Sequence, residues 1–121
     1  MTPADNADQT VRLHAVQRTV GGTRVLSLRG QIDYDAKETL REALAIEDDA
    51  EQPKIVADLS EVTFLDSSGI KVFVAAHLRT SEAGGWIRIA AAQDPVLRVL
   101  RLVGVDALIP CRPTLEQALA D

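Results

Sequence analysis

The sequence predicts a single α/β domain with a mixed, mostly parallel β-sheet and an antiparallel edge strand. Three observations carry that expectation. Two alternating runs are joined by a glycine turn, and strand-length apolar runs then alternate with runs of helical period. The 121 residues are enough for one core and too few for two. The order read along the chain is β-β-α-β-α-β-α-β-α, and strand–helix alternation after a hairpin implies parallel pairing for most of the sheet.

Each element has its own local reason. Residues 1–10 are polar and are expected to form a flexible tail, leaving 11–121 as the domain. Residues 11–20 read as an edge strand, with Val11, Leu13 and Ala15 on one side and Arg12, His14 and Gln17 near the other. Gly21-Gly22-Thr23 signals a hairpin turn into a second strand bearing Val25, Leu26, Leu28 and Ile32. The period then changes: Ala36, Leu40, Ala43 and Leu44 share a helix face behind Asp33 or Asp35 as cap. Residues 54–59, KIVADL, are almost continuously apolar, as in a strand covered on both faces.

After the junction Asp66-Ser67-Ser68-Gly69, Ile70, Phe73, Val74, His77 and Leu78 fall on one predicted helical stripe. Gly84 or Gly85 suits its C-terminal stop. Residues 86–91 form a predicted strand, and residues 94–103 a helix with Asp94 as cap, Pro95 in the first turn and Gly104 after the end. ALIP, residues 107–110, is the predicted last strand. Thr114 and Gln117 are spaced as a capping box for a closing helix.

Composition narrows the functional classes. A net charge of −5 argues against nucleic acid as the main partner, because phosphate backbones attract Lys- and Arg-rich surfaces. Trp86, Tyr34, Phe64 and Phe73 are the only aromatics, so the core must be aliphatic. Cys111 is the sole cysteine, which rules out an intramolecular disulfide or thiolate cluster and is read as a small packed residue. The first residues lack the basic and apolar regions of a signal peptide, and no apolar run approaches the roughly 20 residues of a bilayer span. The expectation is a cytoplasmic protein without membrane insertion.

In open parallel sheets, functional residues gather beyond the carboxyl ends of the strands. Asp33 follows the second strand and Asp66-Ser67 the third, so they are expected at the same end. A nucleophilic serine needs a base within about 3 Å. His77 lies ten residues beyond Ser67 on the same predicted helix, about 15 Å along its axis. Nothing orients His14, the other histidine, toward a serine. The G-x-S-x-G elbow, phosphate-loop, dinucleotide and metal-ligand spacings are all missing, which points to a non-enzymatic protein without cofactor. Asp58, read as ending a central strand, raises a response-regulator receiver, but Lys37, Lys54 and Lys71 are the only lysines and none follows a late strand.

What remains is the DSSG junction, as a helix cap alone or as a modification or docking site. With Asp66 as N-cap, Ser67 and Ser68 occupy the first helical turn with accessible hydroxyls. A phosphate there would be favoured by the helix dipole while adding up to about two negative charges beside Asp66.

The residues VADLSEVTFLDSSGIKVFVAA, preceded by LRGQIDYDAKETLREAL, resemble the STAS domain of bacterial anti-sigma factor antagonists. The matching features are glycine-x-hydrophobic-Asp at Gly30 to Asp33, Asp-Leu-Ser at 58–60 and hydrophobic-Asp-Ser-Ser-Gly-Ile at 65–70. The later DPVLRVLRLVGVDALIP is similar to the family's penultimate helix and final strand. Gln31 stands where many members carry an acid. The resemblance implies that Ser67 is phosphorylated by a partner that is both anti-sigma factor and serine kinase. It also implies that the unphosphorylated form binds that partner and frees the sigma factor, and that a PP2C-type phosphatase restores binding. The partner surface it implies comprises Asp33, Asp66, Ser67, Ser68, Gly69 and Lys71. The alternative within the family is an accessory subunit, for example of a lipid-transport ATPase, or a scaffold without a phosphorylation cycle.

Overall fold

A computed structural model describes residues 12–120. Val11 and the expected tail at 1–10 lie outside them. β1 (Leu13–Val20) and β2 (Thr23–Ile32) pair antiparallel across Gly21-Gly22. β2 then pairs parallel with β3 (Lys54–Leu65), β3 with β4 (Trp86–Ala90), and β4 with β5 (Cys111–Arg112). Four helices intervene: α1 (Lys37–Ala43), α2 (Ser67–Glu82), α3 (Asp94–Leu102) and α4 (Leu115–Leu119). A 3-10 turn at Tyr34–Ala36 leads into α1 and another at Val105–Ala107 follows α3. The strands lie in space in the order β1-β2-β3-β4-β5, as they do in sequence. This is the element order and mixed sheet expected from the sequence.

Alternation along the central strands divides the interior. Ile55, Ala57 and Leu59 of β3, with Ile87 and Ile89 of β4, face α1, α2 and α3 through Leu40, Leu44, Phe73, Val96 and Leu100. Val56 and Ala90 point the other way and are covered by Ala118 of α4 with Leu115 and Leu119 beside it. KIVADL is therefore covered on both faces, as its composition implied. β1 is an edge strand with only Leu13 buried; Ala15, expected on the inner side, is exposed.

Four details differ from the sequence reading. β3 runs on through Leu59 to Leu65, directly before Asp66, so Asp58, read as ending a central strand, lies mid-strand, paired with Ala90. β4 pairs only with residues 54–58; beyond that point β2 is the only strand paired with β3 among the described residues, and Ser60, Glu61 and Phe64 are exposed.

On α2 the buried face is Gly69, Val72, Phe73, Ala76 and Thr80, while Leu78 is 55% exposed. The stripe is turned about the helix because Gly69 lets the first turn settle onto the sheet. Thr80 is tolerated inside because its hydroxyl donates to the carbonyls of Ala76 and His77, each at 3.0 Å. α3 starts at Asp94, but its N-cap is Gln93, which makes no side-chain cap bond; Asp94 sits in the first turn.

ALIP is not a strand. Its backbone coils, with the Leu108 and Ile109 amides donating to the Val105 carbonyl at 2.9 and 2.8 Å, and fully buried Ile109 plugs the core. Strand pairing begins only at Cys111. The Cys111 thiol is half-buried, and that burial raises its pKa. Asp106 raises it further, while Arg101 and Arg112 act against the shift.

Two arginines fasten the short helices, which are too short to be stable alone. Arg24 on β2 donates to the carbonyls of Ala45 and Ala43 beyond and at the end of α1, at 2.8 and 2.6 Å. Arg88 on β4 donates to Ala118 and Ala120 at 2.9 Å each and lies 3.7 Å from the centroid of the Trp86 ring. Each places a cation where a helix leaves carbonyls unpaired. Arg24→Ala is expected to destabilise the domain by about 1–3 kcal/mol, with Arg24→Lys recovering only part. Urea unfolding monitored by circular dichroism measures the shift, and an unchanged midpoint would show that α1 is held by packing alone.

Candidate functional site

β2 and β3 end together. Ile32 is the register partner of Leu65, and the Asp66 amide donates to the Ile32 carbonyl at 3.1 Å. The next residue on each strand is an aspartate, so Asp33 and Asp66 leave the sheet side by side, as the topology implied. Both adopt the same extended backbone, φ −119°, ψ −172° and φ −114°, ψ −174°. Each caps the turn that follows it. Asp33 Oδ1 accepts from the Ala36 amide at 3.1 Å. Asp66 Oδ1 accepts from the Ser68 and Gly69 amides at 2.9 and 3.4 Å. The site is thus two parallel strand ends carrying the same cap.

The second Asp33 oxygen is also engaged. Arg12 Nε lies 3.3 Å from Asp33 Oδ2 and 4.0 Å from Asp35 Oδ2, and Arg12 Nη1 donates to Gln31 Oε1 at 2.8 Å. Arg12 reaches this position because Gly30 sits in a bulge with φ +118°. The Gln31 amide donates to the Arg12 carbonyl at 2.9 Å, and a Cβ on Gly30 would stand 2.0 Å from that oxygen.

Ser67 is the first residue of α2 and is exposed; Ser68 is half-buried and faces a groove between α1 and α2. Lys71, one turn on, is exposed beside the same groove. Gly69 is buried, so it shapes this end from beneath instead of presenting a surface. A Cβ there would meet Ile32 Cγ2 at 2.3 Å and Leu65 Cδ1 at 2.6 Å, the side chains that close β2 and β3. Hydrogen at that position lets α2 start directly over the paired strand ends.

The sequence reading did not select Tyr34 or Phe64. Tyr34 follows Asp33 and is 64% exposed; Phe64 precedes Leu65 and is 48% exposed. Aromatics in these positions, in a chain with four of them, were a usable signal. Arg12 carried none, since its reach depends on the Gly30 bulge. His14 is on exposed β1, and His77 is on α2 ten residues from Ser67, so neither joins the junction. Among the described residues, no group of His, Cys, Asp or Glu is arranged to hold a metal ion, and no helix is long and apolar enough to cross a membrane.

Residues 14–118 match the model of the STAS domain. The chain belongs to the STAS domain family. Anti-sigma-F factor antagonist RsfB of Mycobacterium tuberculosis is 32% identical to this STAS domain over 120 residues, spanning 98% of this chain and 92% of its own. The crystal structure of an anti-sigma factor antagonist from Mycobacterium paratuberculosis superposes with a TM-score of 0.77 at 30% identity, covering 88% of this chain and 91% of that one. The Bacillus cell fate determinant SpoIIAA, in its phosphorylated form, superposes with a TM-score of 0.63 at 19% identity over 88% of this chain and 96% of its own, a likeness of fold.

The caps and the close helix–sheet approach give separable expectations for this STAS domain. Asp66→Ala should cost about 1 kcal/mol of stability, the usual scale of a lost N-cap. Gly69→Ala should cost about 1–3 kcal/mol, because two buried side chains must move to admit the methyl group. Denaturant unfolding of both variants tests this; a Gly69→Ala variant as stable as the parent would show that α2 can lift without penalty.

Proposed function

We propose that this STAS domain is an anti-sigma factor antagonist switched by phosphorylation of Ser67. Unphosphorylated, it binds an anti-sigma factor that is also a serine kinase and so frees the sigma factor. Phosphorylation ends that binding, and a PP2C-type phosphatase restores it. The observation that carries the reading is the division of labour at the junction. Asp66 caps α2 through the Ser68 and Gly69 amides, which leaves the neighbouring Ser67 exposed at the first helical position.

A hydroxyl so placed can be modified without dismantling the cap. With no histidine of this chain near it, its activation falls to the partner. The γ-phosphoryl of ATP moves to Ser67 Oγ: the new O–P bond forms, the bond to the β-phosphate oxygen breaks, ADP leaves, and the hydroxyl proton passes to a base of the kinase. The phosphate then lies at the positive end of α2, where the dipole favours it, so the fold is retained. A docked partner instead meets new bulk and up to about two negative charges beside Asp66 and Asp33. Tyr34 and Phe64 supply exposed aromatic area at the same end, the kind of side chain that anchors interfaces.

The test is incubation with the cognate anti-sigma kinase and ATP, followed by peptide mapping and binding measurements. Ser67→Ala is expected to take no phosphate yet bind the kinase like the parent, and Ser67→Asp to bind at least about tenfold more weakly. Labelling of Ser67→Ala at the parental level would overturn the assignment of the acceptor.

A further inference from the structure

We propose that the groove between α1 and α2 holds an acidic, extended segment of the protein partner, next to the acceptor serine. This rests on the docking role proposed for that end of the domain. The groove encloses about 210 Å³, and Lys37 and Arg41 on one wall face Lys71 and Arg79 on the other. Tyr34 and Ser68 close the end nearest the junction, and no carboxylate lines it. That is a marked local bias in a chain with 18 acidic and 13 basic residues.

The cations are free to take a ligand. Lys71 and Arg79 are exposed and form no ion pair among the described residues. Arg41 is paired only with exposed Glu38 on its own helix, a contact of little net worth that an incoming carboxylate can replace. The Lys37 ammonium stands 3.9 Å from the centroid of the Tyr34 ring and keeps its remaining hydrogen-bond directions.

The spacing suits a chain segment better than a point charge. Lys71 and Arg79 are about 12 Å apart along α2, and Lys37 and Arg41 about 6 Å apart along α1. An extended stretch of about four residues covers the longer distance and can direct acidic side chains to both walls. Because the groove ends at Ser68, the neighbour of Ser67, one partner can occupy it while presenting its own catalytic end to Ser67. Opposed charges of this kind mainly speed encounter and fix register, so the effect should fade with added salt.

The experiment titrates the 15N-labelled full chain with acetylated penta-glutamate at low ionic strength. Penta-lysine and inorganic phosphate serve as controls. Saturable amide shifts clustered at Lys37, Arg41, Lys71 and Arg79 with penta-glutamate are expected, with none from penta-lysine. Lys71→Glu/Arg79→Glu should lose them while keeping the parental circular dichroism spectrum. Shifts elsewhere, no shifts, or tighter binding of inorganic phosphate than of the peptide would overturn the proposal.

A second arm measures association with the cognate kinase. The double variant should bind at least about tenfold more weakly at low salt, with the gap closing as salt rises. Equal affinity of variant and parent would overturn the groove as a partner contact. A kinase that fails to bind the parent would instead remove the proposed function, leaving the peptide titration to decide the groove.

Discussion

The hydrogen bond from the Asp66 amide to the Ile32 carbonyl fixes where two parallel strands stop, and the candidate site depends on that shared stopping place. It sets Asp33 and Asp66 side by side, and each then uses its carboxylate to begin the next turn. α2 can start at once because Gly69 admits the closing side chains of both strands. One register, two caps and one missing methyl group are sufficient to present an exposed serine in a defined place.

The strand order explains why the site lies here and not in a crevice between diverging halves. The order in space follows the order in sequence, so no topological switch point arises. α1, α2 and α3 gather over one face, and the approach of α1 to α2 makes the basic groove beside Ser67 and Ser68. β3 outruns β4 by seven residues, 59–65, which leaves the junction standing clear of the later strands.

Much of this was legible in the residues. The switch from alternating to helical period located the hairpin, the central strands and α2, and the Asp-Ser-Ser-Gly run marked the start of α2 through its capping chemistry. The misses have physical causes. Periodicity alone fixed the Ile70–Leu78 stripe, but the depth at which Gly69 seats the helix turned the buried face toward Val72 and Ala76. ALIP has strand-like composition, yet a single buried anchor, Ile109, is satisfied by a coil. The capping arginines Arg24 and Arg88, and the opposed cations of the groove, are partners only once distant segments meet.

The sequential sheet also bears on how the molecule comes to exist. Each strand joins an edge already present, so no strand has to be inserted between two that have paired. The β1–β2 hairpin needs only a two-residue turn, and each later strand closes a loop spanned by a helix that then covers it. Assembly can advance from the amino-terminal hairpin outward, as a chain emerging from a ribosome would require. The paired aspartates and the exposed serine that opens α2 are complete once β3 and α2 are in place, before α3 and α4 have been made.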